Sequence, residues 1–260
     1  KSLWTAGETG EKIILRKCED QMGESRSIVD TIRRMTEGIY DHEEYERALA
    51  WAKENCKIGF DKNPEFIRKS DEEKAKDFEF TVLMAMIIQD LMNGNDMLPR
   101  GCEEEMVGHN AIAAGFQGQR QWTDFYPNCD FGEAILNSSF DWNGVREPYI
   151  LATENDTLNG LGMLFMKLLT NRPQIFADVR TYWSEDAVKR AAGGYEIEGK
   201  AKDADGFIHL INSGAACVDA CGEVKDENGN AVMKQWWNMT DEDIDACMAA
   251  TSWPYADLGY

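Results

Sequence analysis

The chain has 260 residues, 43% of them hydrophobic and eight of them tryptophan, enough for one large domain or two smaller ones and unlike a disordered chain. A net charge of −20 argues against nucleic acid or an anionic membrane surface as a partner. The longest apolar run, Val82 to Ile88, is too short to span a membrane, and no charged stretch followed by an apolar core opens the chain at Lys1, so a soluble protein without a signal peptide is expected. Seven cysteines (Cys18, Cys56, Cys102, Cys129, Cys217, Cys221 and Cys247) are odd in number, scattered and free of any CxxC pair. They read as reduced, mostly buried thiols of a cytoplasmic protein, and the lone Cys217/Cys221 spacing is a weak zinc signal.

Residues 1–40 carry little pattern beyond a possible short strand at Ile13-Ile-Leu15. From Asp41, Tyr45, Leu49, Ala50 and Trp51 recur at helical spacing up to about Cys56, with Glu43, Glu44 and Glu46 in the first turn. Ser70 and Glu73 form a capping-box signature, and Asn93-Gly94 supplies the stop of a second helix. Its stripe of Phe78, Val82, Leu83, Met86, Ile87 and Leu91 reads as core. Gly115-Phe-Gln-Gly-Gln-Arg-Gln-Trp122 is an amide-rich loop whose side chains can hydrogen-bond a polyol. Glu147 to Thr153 reads as a strand, and a helix follows with Thr157, Leu158, Leu161, Leu164, Phe165 and Leu168 as its body. Gln174 to Val179 reads as a second strand and Phe207 to Ile211 as a third. Asn228-Gly229 signals a hairpin between Glu223-Val224 and Val232-Met233, and Thr240 with Asp243 opens a last helix through Ala250. Strands alternating with helices give an α/β fold with a boundary near 170.

Two carboxylates stand out. Glu154 follows a predicted strand and precedes a helix, where ligands collect in α/β folds, and Asp178 lies 24 residues on, about one strand–helix–strand crossover. Two strands of one parallel sheet would bring both to the same edge, a pairing of oxygens suited to Mg²⁺ or Mn²⁺. The plainer alternative is that Glu154 or Asp156 caps the helix while Asp178 pairs with Arg180 or Arg146. Gln117, Gln119 and Arg120 can bind a sugar or decorate a loop, and Ser213 can be a substrate contact or part of a turn. Among the histidines, His42 reads as surface, His109 as a neighbour of the glycine-rich loop, and His209 as a satisfied core residue. No nucleophile elbow, Walker A loop or dinucleotide fingerprint is present.

Asn110-Ala-Ile-Ala-Ala-Gly-Phe-Gln-Gly-Gln-Arg120, Ala134 to Pro148, Ala152-Thr-Glu-Asn-Asp156, Phe176 to Ser184 and Ile208 to Gly214 closely resemble L-fucose isomerases. The likeness runs from about Ile39 to the C-terminus, whereas residues 1–38 match poorly. It implies an aldose–ketose isomerase interconverting L-fucose and L-fuculose, and D-arabinose and D-ribulose, by metal-assisted proton transfer through a cis-enediol. It further implies Glu154 and Asp178 as catalytic residues and ligands of Mn²⁺, with a third ligand, a His, outside this chain. Gln117, Ser213 and Tyr260 are implied as substrate contacts. The implied architecture is a Rossmann-like sandwich middle domain (1–170), then the beginning of a mixed, β-rich C-terminal domain (171–260). A cytoplasmic homohexamer is implied for the full-length protein, and the 260 residues alone are expected to be inactive. The alternatives are a non-catalytic sugar-binding or scaffold fragment, or an isomerase of a related sugar such as L-arabinose.

Overall fold

In the computed structural model, residues 4–7, 26–116, 126–212 and 215–255 are described. In chain order the elements are β1 (Trp4–Gly7), α1 (Arg26–Glu37), α2 (His42–Asn55), β2 (Lys57–Asp61), α3 (Asp71–Asn93), α4 (Glu103–Val107) and β3 (Ala111–Phe116). There follow α5 (Asp130–Leu136), β4 (Phe140–Asp141), β5 (Gly144–Val145), β6 (Leu151–Thr153), α6 (Thr157–Thr170), β7 (Asp178–Ser184) and α7 (Glu185–Ala191). The last are α8 (Gly199–Asp203), β8 (Gly206–Ile211), α9 (Asp241–Ala250) and β9 (Ser252–Tyr255). By packing, residues 176–213 form one unit, and 1–175 with 214–260 form the other.

The larger unit is organised by α3. Ser70 and Glu73 close a reciprocal capping box at its start, with the Ser70 amide donating to Glu73 at 2.8 Å. Gly94, at φ +82°, ends it, and a Cβ there would overlap the Met106 and Val107 carbonyls, so the turn admits only glycine. From Val82 to Ile88 the helix is buried on all sides. Val82, Met86 and Ile87 pack with Ala48, Leu49 and Ala52 of α2 and with Phe131 and Ile135 of α5. Met84, Ile88 and Met92 pack with Ala111 and Ala114 of β3 and Leu151 of β6. A helix apolar all round is a buried helix.

That second cluster seats a three-stranded sheet in the order β1-β3-β6, β3 antiparallel to β1 and parallel to β6. All three residues of β6 are buried, as in strands covered on both faces. A separate parallel pair joins β2 to β9. Residues 215–255 are tied in by polar bonds: the Ser139 amide donates to Asp219 at 3.0 Å and the Val218 amide to Ser138 Oγ at 2.8 Å. Arg146 closes the end of α5, donating to the carbonyls of Ile135 and Ser138 and pairing with Asp141 at 2.5 Å. The buried Arg34 donates to Asp90 at 2.6 Å and to the Ile39 carbonyl at 2.9 Å.

The smaller unit is an antiparallel pair, β7 with β8, joined through α7 and α8. Val179, Tyr182, Ile208 and Leu210 are exposed on it.

Several expectations need correction. The predicted strand 147–153 shrinks to Leu151–Thr153, because Tyr149 bonds back to the Leu136 carbonyl instead of joining the ladder. The strand predicted at 174–179 begins only at Asp178; the apolar signal before it reflects the burial of Phe176 after Pro173, not pairing. The parallel sheet expected to carry both carboxylates does not form, since β6 lies in the three-stranded sheet and β7 pairs with β8. Spacing permits a crossover but does not choose a strand's partner. His209 is half-buried, not core, and accepts from Trp183 Nε1 at 3.2 Å. The Asn228-Gly229 turn does form as expected, its arms paired antiparallel by the Lys225–Ala231 bridge, with the Val232 amide donating to the Val224 carbonyl at 3.0 Å. The helices expected from about 41, 70, 157 and 240 all form, with Asp41, Ser70, Asp156 and Thr240 as their caps.

Candidate functional site

The junction of β6 and α6 concentrates the unusual features of the backbone. Glu154 and Asn155 both sit in the left-handed region, at φ +56° and +58°, directly after Thr153. Each such placement of a non-glycine residue costs on the order of 1–2 kcal/mol and persists only where the surroundings enforce it. Asp156 then turns the chain into α6, its carboxylate accepting from the amides of Leu158 (3.0 Å) and Asn159 (3.1 Å). The capping alternative is therefore filled by Asp156.

Glu133 of α5 and Asn137, the residue that caps its C-terminus, lie four residues apart and hold β6 in place. Asn137 donates to the Leu151 carbonyl at 2.9 Å and accepts from the Leu151 amide at 2.8 Å, imitating a neighbouring strand. The Thr153 hydroxyl donates to Glu133 at 2.7 Å, both residues being buried. Burial holds the Glu133 carboxyl well above the usual carboxylate range, with Asp130 and Glu154 raising it further and the Thr153 bond opposing them. Asp130 is also raised by burial, and the fully enclosed Cys129 thiol is pushed well up. The floor beneath Glu154 is thus acidic in composition and poor in water.

Asn155 Oδ1 is buried without a hydrogen-bond partner. A buried acceptor left unpaired is costly, and one beside a carboxylate suits a hard cation or a hydroxyl donor. The oxygen donors of Glu154 and Asn155 are of the kind that Mn²⁺ or Mg²⁺ takes. Among the described residues, however, no three His, Cys, Asp or Glu side chains form a metal-holding group, the Cys217/Cys221 spacing included.

Asp178 opens β7 in the smaller unit and is paired there with Arg180 at 3.2 Å, the alternative the sequence left open. Gln117, Gln119, Arg120, Ser213 and Tyr260 lie outside the described residues. His42, at the start of α2, lies against the Tyr40 ring in a tilted arrangement, centroids 4.3 Å apart, and the His109 amide donates to the Leu91 carbonyl. Two clefts, of about 340 and 380 Å³, lie elsewhere, one beside Asp41, Glu44 and Asn143, the other beside Thr170, Ile175 and Val232. Glu133, Asn137, Thr153 and Asn155 are not read as site residues from the sequence. The available signal was a lone carboxylate within the apolar run Phe131 to Leu136.

Residues 3–171 match the family model described as L-fucose isomerase, second N-terminal domain. The whole chain is 57% identical over 264 residues to an L-fucose isomerase of Bacteroides thetaiotaomicron, covering 44% of that protein. It is 55% identical over 262 residues to one from Bacteroides fragilis, again covering 44%. Against one from Streptococcus pneumoniae, 91% of the chain aligns at 54% identity and covers 40% of the relative. The chain spans less than half the length of these relatives.

Proposed function

The chain belongs to the L-fucose isomerase family, and from that premise we propose that it forms part of an enzyme interconverting L-fucose and L-fuculose, with D-arabinose and D-ribulose as further substrates. The single observation that carries the reading to a residue is the strained Glu154–Asn155 turn, held by buried partners at the end of β6. Moving the carbonyl from C1 to C2 requires a base for the C2 proton and an acid that returns a proton to C1, through a cis-enediol. Glu154 takes the role of base, and Asp178 that of the second carboxylate. Glu154 and Asp178 would hold Mn²⁺, which would supply Lewis acidity toward the sugar's oxygens when bound. Asn155 Oδ1 offers a further oxygen to the cation or to a sugar hydroxyl. Gln117, Ser213 and Tyr260 are assigned to the substrate, and the third metal ligand to a His outside this chain.

The finer architecture also belongs to this proposal: a Rossmann-like sandwich up to about 170, then the start of a mixed, β-rich C-terminal domain. The end of the family match at residue 171 supports that division. Assembly as a homohexamer is part of the same reading. A cytoplasmic setting is supported by six free cysteines among the described residues. No helix among them is long and apolar enough to cross a membrane.

The test is Mn²⁺-dependent ketose formation from L-fucose by the protein containing this chain, compared with Glu154→Gln and Asp178→Asn. Loss of activity by about a hundred-fold or more in each is the expected result. Undiminished turnover in either variant overturns its assignment, and turnover of L-arabinose in preference to L-fucose overturns the substrate.

A further inference from the structure

We propose that Glu133 is a positioning residue for Glu154: from α5 it receives the Thr153 hydroxyl and thereby fixes the left-handed turn that carries the Glu154 carboxylate. The inference rests on Glu154 belonging to the reacting centre, but the placement of Glu133 stands on its own geometry.

Glu133 is 3% exposed and Thr153 is 5% exposed. Helix α5 is otherwise apolar on its buried side, with Phe131, Ala134, Ile135 and Leu136 all enclosed. A buried carboxyl group and a buried hydroxyl both carry desolvation costs, and two apolar side chains of similar shape would fill this space at less cost. The pair is therefore a poor way to fill a core. What it provides is direction. A 2.7 Å bond fixes the residue immediately before two consecutive left-handed positions, where the backbone otherwise relaxes toward an ordinary strand end. Asn137, one helical turn further along, pins Leu151 by two bonds. The strand is thus gripped at alternate residues, 151 and 153, and the turn is held from the other side by the Asp156 cap. Groups that orient a ligand in this way are worth about ten- to a hundred-fold in metal affinity where a metal is bound.

The test compares Glu133→Gln, Glu133→Leu and Thr153→Val in the full-length protein that contains this chain, by hydrogen–deuterium exchange over residues 153–156. Mn²⁺ titration followed by electron paramagnetic resonance is the second readout. Glutamine keeps an acceptor for the Thr153 hydroxyl and should leave exchange and Mn²⁺ affinity at wild-type levels. Leucine and valine remove the bond from its two ends, and each should speed exchange about ten-fold and weaken Mn²⁺ by a similar factor. Valine serves where the leucine variant does not fold. Equal exchange in all four proteins, or a glutamine variant as damaged as the leucine one, overturns the inference. A full-length wild-type protein that binds no Mn²⁺, while exchange still separates glutamine from leucine and valine, supports the role of Glu133 and removes the metal from Glu154.

Discussion

Glu133→Gln gives the sharpest test of the buried floor beneath Glu154. In the unfolded chain Glu133 ionises near its ordinary value of 4.5, whereas burial, with Asp130 and Glu154 adding to it, keeps the native carboxyl protonated well above that. Above pH 4.5 the native state therefore binds the extra proton. Stability falls as pH rises until the native carboxyl also ionises. The loss is about 1.4 kcal/mol per pH unit while that difference lasts. Glutamine has the shape of the protonated carboxyl and no proton to lose. Urea unfolding at pH 4.5 and pH 7 should show the variant close to wild type at the lower pH and more stable than it at the higher. Other carboxylates contribute equally to both proteins, so the difference isolates this one. A Glu133→Gln stability increment that is the same at both pH values, or larger at pH 4.5, refutes the placement of a neutral carboxyl at this site.

Burial outweighs the Arg34 guanidinium and pushes Asp90 up to about 6, so the pair is held at a desolvation cost. Arg34→Met should lose about 3–5 kcal/mol in a denaturant titration, and Arg34→Met with Asp90→Leu should recover most of it. Asn155→Gly removes an unpaired buried oxygen and relaxes a positive φ. It should be neutral to about 1 kcal/mol stabilising by thermal unfolding, while lowering Mn²⁺ affinity. Of the six described cysteines, Cys102 and Cys221 should react first with a thiol-specific disulfide reagent, read by peptide mass mapping. Cys56, pushed up to about 12 by burial, and Cys129, Cys217 and Cys247 should react only on unfolding.

Helices were the legible part of this sequence, because their signals are local. Ser70 with Glu73 and Thr240 with Asp243 each specify a start within four residues, and the structure forms both boxes. Strand partners were not legible. Nothing near Asp178 announces that β7 turns back onto β8 instead of extending the sheet of β6, since pairing is decided by residues some 30 positions away. The site divides the same way. Glu154 was marked by its place between strand and helix. Glu133 and Asn137 act through a fold that brings α5 beneath β6, and their i, i+4 spacing is unremarkable until that contact is known. Asn155 is distinguished only in the structure, by its orphaned oxygen.

The two-stranded β7–β8 ribbon has a mechanical consequence for the carboxylate at its end. A lone pair of strands with apolar side chains left in water on both faces has little to resist opening, so its amides should exchange long before those of α3. Asp178 and Glu154 therefore stand on different supports: the one at the start of a two-stranded ribbon, the other beyond a strand bonded to Glu133 and Asn137. Any chemistry that needs the Asp178 carboxylate at a fixed position must first still the ribbon that carries it.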